Sequence, residues 1–453
     1  MTLNPNRLLT TLKALPAAER CHLALSGGLD SCVLIHLLAS LRESLPWSLH
    51  AIHINHGLQV VADLWQAHCQ SLCEQYQIPL QVVQLSLAPG TGESVEAVAR
   101  EARYRALAEH VGPGDLLLTA QHQDDQAETL LLQLLRGSGP AGLAAMPPLS
   151  RFYGGWLARP LLDTPRATIE AYARHHRLTW QEDPSNRDLR FDRNFIRHRV
   201  MPLLTGRWPA AASTLSRAAR FSGEMLSLVA EEAEEELARV RLGESGELSV
   251  AALSRFESVR LRSLLRHWIA QVGAPMPSSR KLARIEQEAV HGRADALPLI
   301  AWSGWEVRRY RDRLRLARAL PSFEAANTLT WSDKAELILQ EGLGRLVAEL
   351  GEGGIDVEQW RHARIEIRFR KGGERCIPAG QAHHRPLKKL FQEWGVPPWE
   401  RQRIPLIYLN DELAAIPGRL VCHPFAAAAG QSSMVIRWEP PFGTSEPLLR
   451  NQT

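Results

Sequence analysis

Lysine is scarce in this chain: of 53 basic residues only six, at positions 13, 281, 334, 371, 388 and 389, are lysine, and the other 47 are arginine. None of the six follows a glycine, so no G-x-x-x-x-G-K-[ST] phosphate loop exists, and no G-x-G-x-x-G follows a strand-like run. Kinase-like and dinucleotide-binding readings are thereby excluded. Cysteine is also sparse, six residues (21, 32, 69, 73, 376 and 422) in 453, with no C-x-x-C pair, which leaves no disulfide framework and no structural zinc site. No stretch approaches the roughly 18 uninterrupted apolar residues of a membrane span. Near the N-terminus, Lys13, Glu19 and Arg20 interrupt the apolar run that a secretory signal needs. These absences predict a cytoplasmic protein with no membrane partner. The net charge of +4 says little about partners. The arginine excess suits forked, stacking contacts with phosphates and bases, and it equally fits a genome biased toward arginine codons.

What is present divides into three parts. The chain is too long for one ordinary core, and from about residue 20 to 200 apolar strand-like runs alternate with amphipathic helical patterns, which predicts an α/β domain with a largely parallel sheet. The strand runs are 22–25, 49–54, 80–85, 115–120 and 156–160; helices are expected at about 30–42, 60–77, 94–110, 124–136 and 165–176. The last of these has Asp163-Thr164-Pro165 as its expected start, a capping side chain followed by Pro at the first helical position. Residues 201–215 are rich in Pro and small side chains, and beyond them the pattern is almost wholly helical to about 292. After Pro321 short alternating runs such as 364–369 return. The expected domains are 1–212, 213–320 and 321–453, in order α/β, helical, and small mixed α/β. The acidic run 231–236 is read as a solvated helix face.

Between the first strand run and its helix lies Ser26-Gly27-Gly28-Leu29-Asp30-Ser31. Two glycines let the backbone turn tightly against a phosphate while the N–H groups and positive end of the helix point at the anion, at the strand end where ligands bind in open α/β sheets. Ser26 and Ser31 add hydroxyl donors. Asp30 would repel a bare phosphate, so it points to a bridging Mg²⁺; as a plain alternative, it caps the helix. The whole string resembles the pyrophosphate loop (PP-loop) of the ATP-pyrophosphatase superfamily, which cleaves ATP to AMP and pyrophosphate.

Further strings narrow the resemblance: 51–58 (AIHINHGL), Arg100 to Tyr104, His122-Gln-Asp124-Asp125-Gln-Ala-Glu128-Thr129, and 183–186 followed by Arg193-Asn194-Phe-Ile-Arg197. Together with 387–399 (LKKLFQEWGVPPW) they resemble bacterial tRNA(Ile)-lysidine synthases of the long, three-domain form. The resemblance implies an adenine nucleotide alpha hydrolase-like N-terminal domain and a ligase reaction. In it ATP adenylates the wobble cytidine of a minor isoleucine tRNA, and the ε-amine of L-lysine then displaces AMP to form lysidine. It implies ATP contacts at Ser26, Gly27, Gly28, Leu29, Asp30, Ser31, His56 and Gly57, with Asp30 also the Mg²⁺ ligand. Asp30, Arg103 and Arg197 are the expected catalytic residues, Arg100 and Arg193 being neighbours whose roles could exchange with those of Arg103 and Arg197. Asp125 and Glu128 are assigned to the lysine, although Asp125-x-x-Glu128 also fits a helix-capping arrangement; Asp124 is left unassigned. The family often shows His where Gln121 stands here, which leaves the role of His122 open. His53 and His56 invite a metal reading, rejected in favour of backbone contacts to adenine near Gly57.

For a tRNA, residues 361–403 carry eleven basic against four acidic side chains, among them Arg370, Lys371, Arg385, Lys388 and Lys389, with Trp394 and Trp399 interleaved. The mixture is compatible with backbone tracking and base stacking, the tryptophans serving more readily as a small-domain core. Rival readings are a PP-loop tRNA thiolase, opposed by the lack of C-x-x-C, a glutamine-dependent synthetase, and an RNA-binding protein with a vestigial nucleotide site. Oligomeric state stays open, a homodimer included.

Overall fold

All five strand runs expected before residue 160 form strands in the computed structural model, which describes residues 3–55, 62–85, 95–323, 328–332, 335–340 and 342–440. The chain forms two compact units, Met1–Val229 and Ala230–Thr453. In the first, helix α1 (Pro5–Lys13) precedes β1 (Arg20–Ala24), α2 (Leu29–Ser40), β2 (Ser48–Asn55), α3 (Ala62–Gln75), β3 (Leu80–Gln84) and α4 (Val95–Ala108). There follow β4 (Leu116–Leu118), α5 (Gln123–Leu135), α6 (Pro140–Leu143), β5 (Leu149–Phe152), β6 (Gly155–Ala158) and α7 (Arg166–His175). The sheet order is β3-β2-β1-β4-β6-β5. Leu23 of β1 aligns with Ala51 on one side and Leu118 on the other, all in parallel, and only β5 runs antiparallel. Strand order reverses at β1, so the crevice beyond its carboxyl end, between β1 and β4, is where this architecture places a ligand.

Helix α2 is apolar all round because it is enclosed all round: Val33, Leu34, Ile35, Leu37 and Leu38 have no solvent exposure. Such a helix cannot shift without opening the core, which makes its N-terminus a rigid platform. The start of α7 differs from expectation. Pro165 is its N-cap and offers no side-chain bond, and the cap comes instead from Asp124, whose Oδ2 accepts the Arg166 N–H at 2.8 Å. Asp124, unassigned from sequence, thus ties the start of α5 to the start of α7. After α7, α8 (Asp192–Phe195) passes through a π-helical turn, Ile196–Val200, into α9 (Met201–Arg207); α10 (Ala211–Val240) follows.

The second unit contains the end of α10, the helix Ser258–Gln271 and a five-stranded antiparallel sheet that includes Leu299–Trp302, Trp305–Tyr310 and Arg313–Arg318. Two strands of that sheet, Arg241–Leu242 and Glu247–Ser249, lie inside the stretch that sequence reads as helical; at two and three residues they are too short to show alternation. The acidic run of α10 is only partly a solvated face, since Glu236 is buried against Arg260 and Glu234 meets His267 at 2.9 Å. Beyond Pro321 a five-stranded and a four-stranded antiparallel sheet share one apolar core around Phe391 and Trp438.

Candidate active site

The glycine pair leaves β1 for α2. Gly27 has a φ of +80°, which side chains rarely adopt, and a Cβ there would stand 3.1 Å from Cys69 Sγ, so glycine is required twice over. Gly28 is the N-cap and no side chain caps α2, leaving its first N–H groups to an anion. The Ser26 and Ser31 hydroxyls lie 3.0 Å apart, and Ser31 donates to the Gly28 carbonyl at 3.0 Å. These bonds shape the loop as a cradle.

Across the crevice, α5 begins with His122 as its N-cap. The Asp125 N–H donates to His122 Nδ1 at 3.4 Å and the His122 N–H donates to Asp125 Oδ2 at 3.1 Å, so the capping box is His122-x-x-Asp125, one turn earlier than the expected Asp125-x-x-Glu128, and Glu128 takes no part in it. The same carboxylate does more. Arg193 and Arg197, one turn apart, both donate to Asp125 Oδ1, at 3.0 and 2.8 Å. Arg197 also donates to Glu128 Oε1 at 2.7 Å and to Oε2 at 2.8 Å, where Arg193 Nε joins at 3.0 Å. All four carboxylate oxygens therefore have donors. Burial alone would raise the Asp125 carboxyl; His122, Arg193, Arg197 and the backbone bond outweigh it and hold the group below the usual range. Burial likewise works against the Arg197 charge, yet Glu128, Asp125 and Asp30 strengthen its hold on the proton.

Asp30, at the start of α2, is the exception. Its Oδ1 is buried with no hydrogen-bond partner, 3.7 Å from His122 Nε2, while the side chain, 29% exposed, lines a cavity. Its carboxyl is raised, first by burial and then by the neighbouring Asp125 charge; His122, Arg166 and Arg197 pull the other way without cancelling this. An under-compensated carboxylate beside two hydroxyls and a phosphate cradle fits a hard divalent cation, which takes one or two carboxylates plus phosphate oxygens. Asp30, Ser26, Ser31, Asp125, Arg103 and Arg193 line one cavity of about 250 Å³. The structure thus brings together Asp30, Arg103, Asp125 and Arg193, with Arg197 behind them on the shared carboxylates.

Other expected residues fall elsewhere. His56 and Gly57 lie outside the described residues, as does the side chain of Arg100. His53 is buried, its Nδ1 2.9 Å from the Leu25 carbonyl and 3.4 Å from Cys69 Sγ, and no group of three or more metal-ligating side chains occurs among the described residues. Sequence reasoning missed the pairing of Arg193 with Arg197 on shared carboxylates; their i,i+4 spacing opposite Asp125-x-x-Glu128 was the available signal. In the second unit, Arg370 pairs with Glu374 at 3.5 Å and Arg385 with Glu393, whereas Lys371, Lys388 and Lys389 are exposed and make no ion pair with a described residue. Trp394 packs on Phe391 at the edge of the apolar core, whereas Trp399, half-buried, meets Tyr310 edge-on and lies under the Arg308 guanidinium.

Loop and switch-point crevice define a PP-loop nucleotide-binding protein, and residues 2–204 match the family described as PP-loop domain. Residues 248–315 match the TilS substrate binding domain and 365–438 the TilS substrate C-terminal domain. The tRNA(Ile)-lysidine synthase of Methylococcus capsulatus is 45% identical over 420 residues, 92% of this chain and 95% of that protein. That of Serratia proteamaculans is 43% identical over 96% of this chain and 99% of its own, and that of Coxiella burnetii 39% identical over 96% and 97%. The chain belongs to the tRNA(Ile)-lysidine synthase family.

Proposed function

We propose that the chain is an ATP-dependent ligase that joins L-lysine to C2 of the wobble cytidine of the minor isoleucine tRNA, in the cytoplasm. The observation that supports this most is the convergence, on one cavity, of a phosphate cradle with an arginine and carboxylate cluster. The pyrimidine oxygen attacks the α-phosphate of ATP and pyrophosphate leaves; the lysine ε-amine then attacks C2, AMP carries away the oxygen, and the amine gives up a proton. The loop N–H groups, Ser26 and Ser31 hold phosphate oxygens, and Arg103, Arg193 and Arg197 stabilise charge developing on them. Asp30 would hold Mg²⁺, which when bound neutralises phosphate charge. Asp125 and Glu128 face the lysine amine, and since their oxygens are already donated to, the amine shares them with the arginines. The division at 212 and 320 is retained as three working parts, in line with the three family matches, the last carrying tRNA contacts at Lys371, Lys388 and Lys389, with Arg370 and Arg385 beside them.

The test is pyrophosphate release from labelled ATP with purified minor isoleucine tRNA, with and without lysine. Release that needs the tRNA, and conversion to lysidine only when lysine is added, is the expected result. A thiolase would release pyrophosphate yet leave lysine unused.

A further inference from the structure

We propose that His122 is a positioning residue of the nucleotide site: its Nε2–H holds Asp30 Oδ1 and so turns Oδ2 of that carboxylate toward the cavity. The proposal rests on the ATP-binding reading above. It begins with the helix cap. Because His122 Nδ1 accepts the Asp125 N–H at 3.4 Å, the ring nitrogen left to donate is Nε2. A ring 1% exposed and fixed at an N-cap cannot swing away to find water.

Two buried polar atoms in this region lack any hydrogen-bond partner, His122 Nε2 and Asp30 Oδ1. One is a donor and the other an acceptor, and they face each other across 3.7 Å. Asp125 Oδ2 is 3.4 Å from the same nitrogen but makes no bond to it and already accepts the His122 backbone N–H. Buried orphans are costly, and an approach of somewhat under 1 Å would bring this pair to ordinary hydrogen-bond distance. A protonated Nε2 cannot ligate a cation, so the ring acts on the metal site through Asp30 alone. Asp30 Oδ1 is fully enclosed while the side chain as a whole is 29% exposed, which leaves Oδ2 as the oxygen for the cavity. The imidazole thereby couples the cap of α5 to the carboxylate at the start of α2.

The test uses the full-length chain with ATP alone, in the absence of tRNA and lysine. Asn and Ser are both strong N-cap residues, so His122→Asn and His122→Ser keep the cap and remove the group facing Asp30. Binding of Mg-ATP should weaken about tenfold or more, the usual consequence of losing a hydrogen bond to a charged group. Binding of metal-free ATP should be unchanged. Variants that bind Mg-ATP as the wild type does, or that lose both forms of ATP alike, would reduce His122 to a cap and overturn the proposal. Histidine ¹⁵N NMR of the wild type needs no variant, and a His122 ring without a hydrogen on Nε2 overturns it independently. A wild type that binds no ATP in any form sinks the nucleotide reading itself, an outcome distinct from wild-type-like variants.

Discussion

Arg197 and Lys388 are both cations assigned to a reaction on RNA, yet their surroundings have almost nothing in common. The Arg197 side chain is 23% exposed and bonded to carboxylates that are 12% and 3% exposed, whereas Lys388 and its neighbour Lys389 stand in solvent and make no ion pair with a described residue. Charges of the first kind fix a geometry and are dangerous to remove singly, because the partner is left buried and unpaired. Those of the second kind add attraction that salt can erase. Within one protein, burial and pairing decide whether a cation fixes a geometry or remains a screened surface charge.

The strongest way to break the comparison is at Asp30, which is buried like the cluster yet lacks its partners. Asp30→Asn should lower pyrophosphate release by at least about 10²-fold, as loss of a preorganised charge interaction does. The same variant should melt at a higher temperature without nucleotide. The sign follows from the raised carboxyl: ionised Asp30 is penalised in the folded state, so above its folded pKa the charge opposes folding, and a neutral amide removes the penalty. Retained pyrophosphate release, or a lower melting temperature, refutes this account of Asp30.

Next comes Arg197→Ala, compared with Arg361→Ala, whose pair with Glu358 is exposed on both sides. Denaturant unfolding should show a loss of about 3–5 kcal/mol for the first and no more than about 1 kcal/mol for the second. Asp125 is held low, so its contribution is present above its unfolded pKa and lost as pH falls through the folded one; Arg197→Ala should move the acid transition to higher pH. Equal stability losses would erase the distinction. Smaller again is the effect of Glu128→Gln, which removes one charge but keeps the shape. Apparent lysine affinity should fall roughly 10- to 150-fold, the worth of a charge-assisted hydrogen bond. Adenylation without lysine should fall too, because Glu128 anchors both arginines; a loss confined to lysine would show that the arginines hold their positions without it.

Much of the first unit was legible because its signals are local. Strand runs, the glycine pair and the spacing of Asp125 from Glu128 all sit within a few residues of one another. What escaped depends on contacts between distant segments. Asp124 capping α7 joins positions 42 apart, and Arg193 reaching Glu128 spans 65. No periodicity announces such pairs. Strand β5 was missed because Leu149–Phe152 pairs antiparallel at a sheet edge and has only four residues. In the second unit, counting charges over 361–403 gave the excess correctly but could not show that Arg368 is held by Glu366 and Asp411, or Arg385 by Glu393. The apparent basic patch is therefore narrower than composition implies.

That narrowing gives the smallest and most quantitative prediction. If only unpaired, exposed cations meet the RNA backbone, Lys371, Lys388 and Lys389 are the ones to remove, and their triple alanine variant costs little stability because none holds a described carboxylate. Removing one cation that neutralises a phosphate should lower the slope of log affinity against log salt by about 0.7–0.9. The triple variant should therefore flatten that slope by roughly 2 to 3, with the deficit largest at low salt and fading as salt rises. Replacing Arg368, which is already neutralised, should leave the slope almost unchanged. Turnover at saturating tRNA should persist in both variants, since neither touches the cavity around Asp30. A slope insensitive to the three lysines, or one that responds equally to Arg368, would mean that exposure and pairing do not select the cations that bind the tRNA, and the contrast between the two regions would fail at its second half.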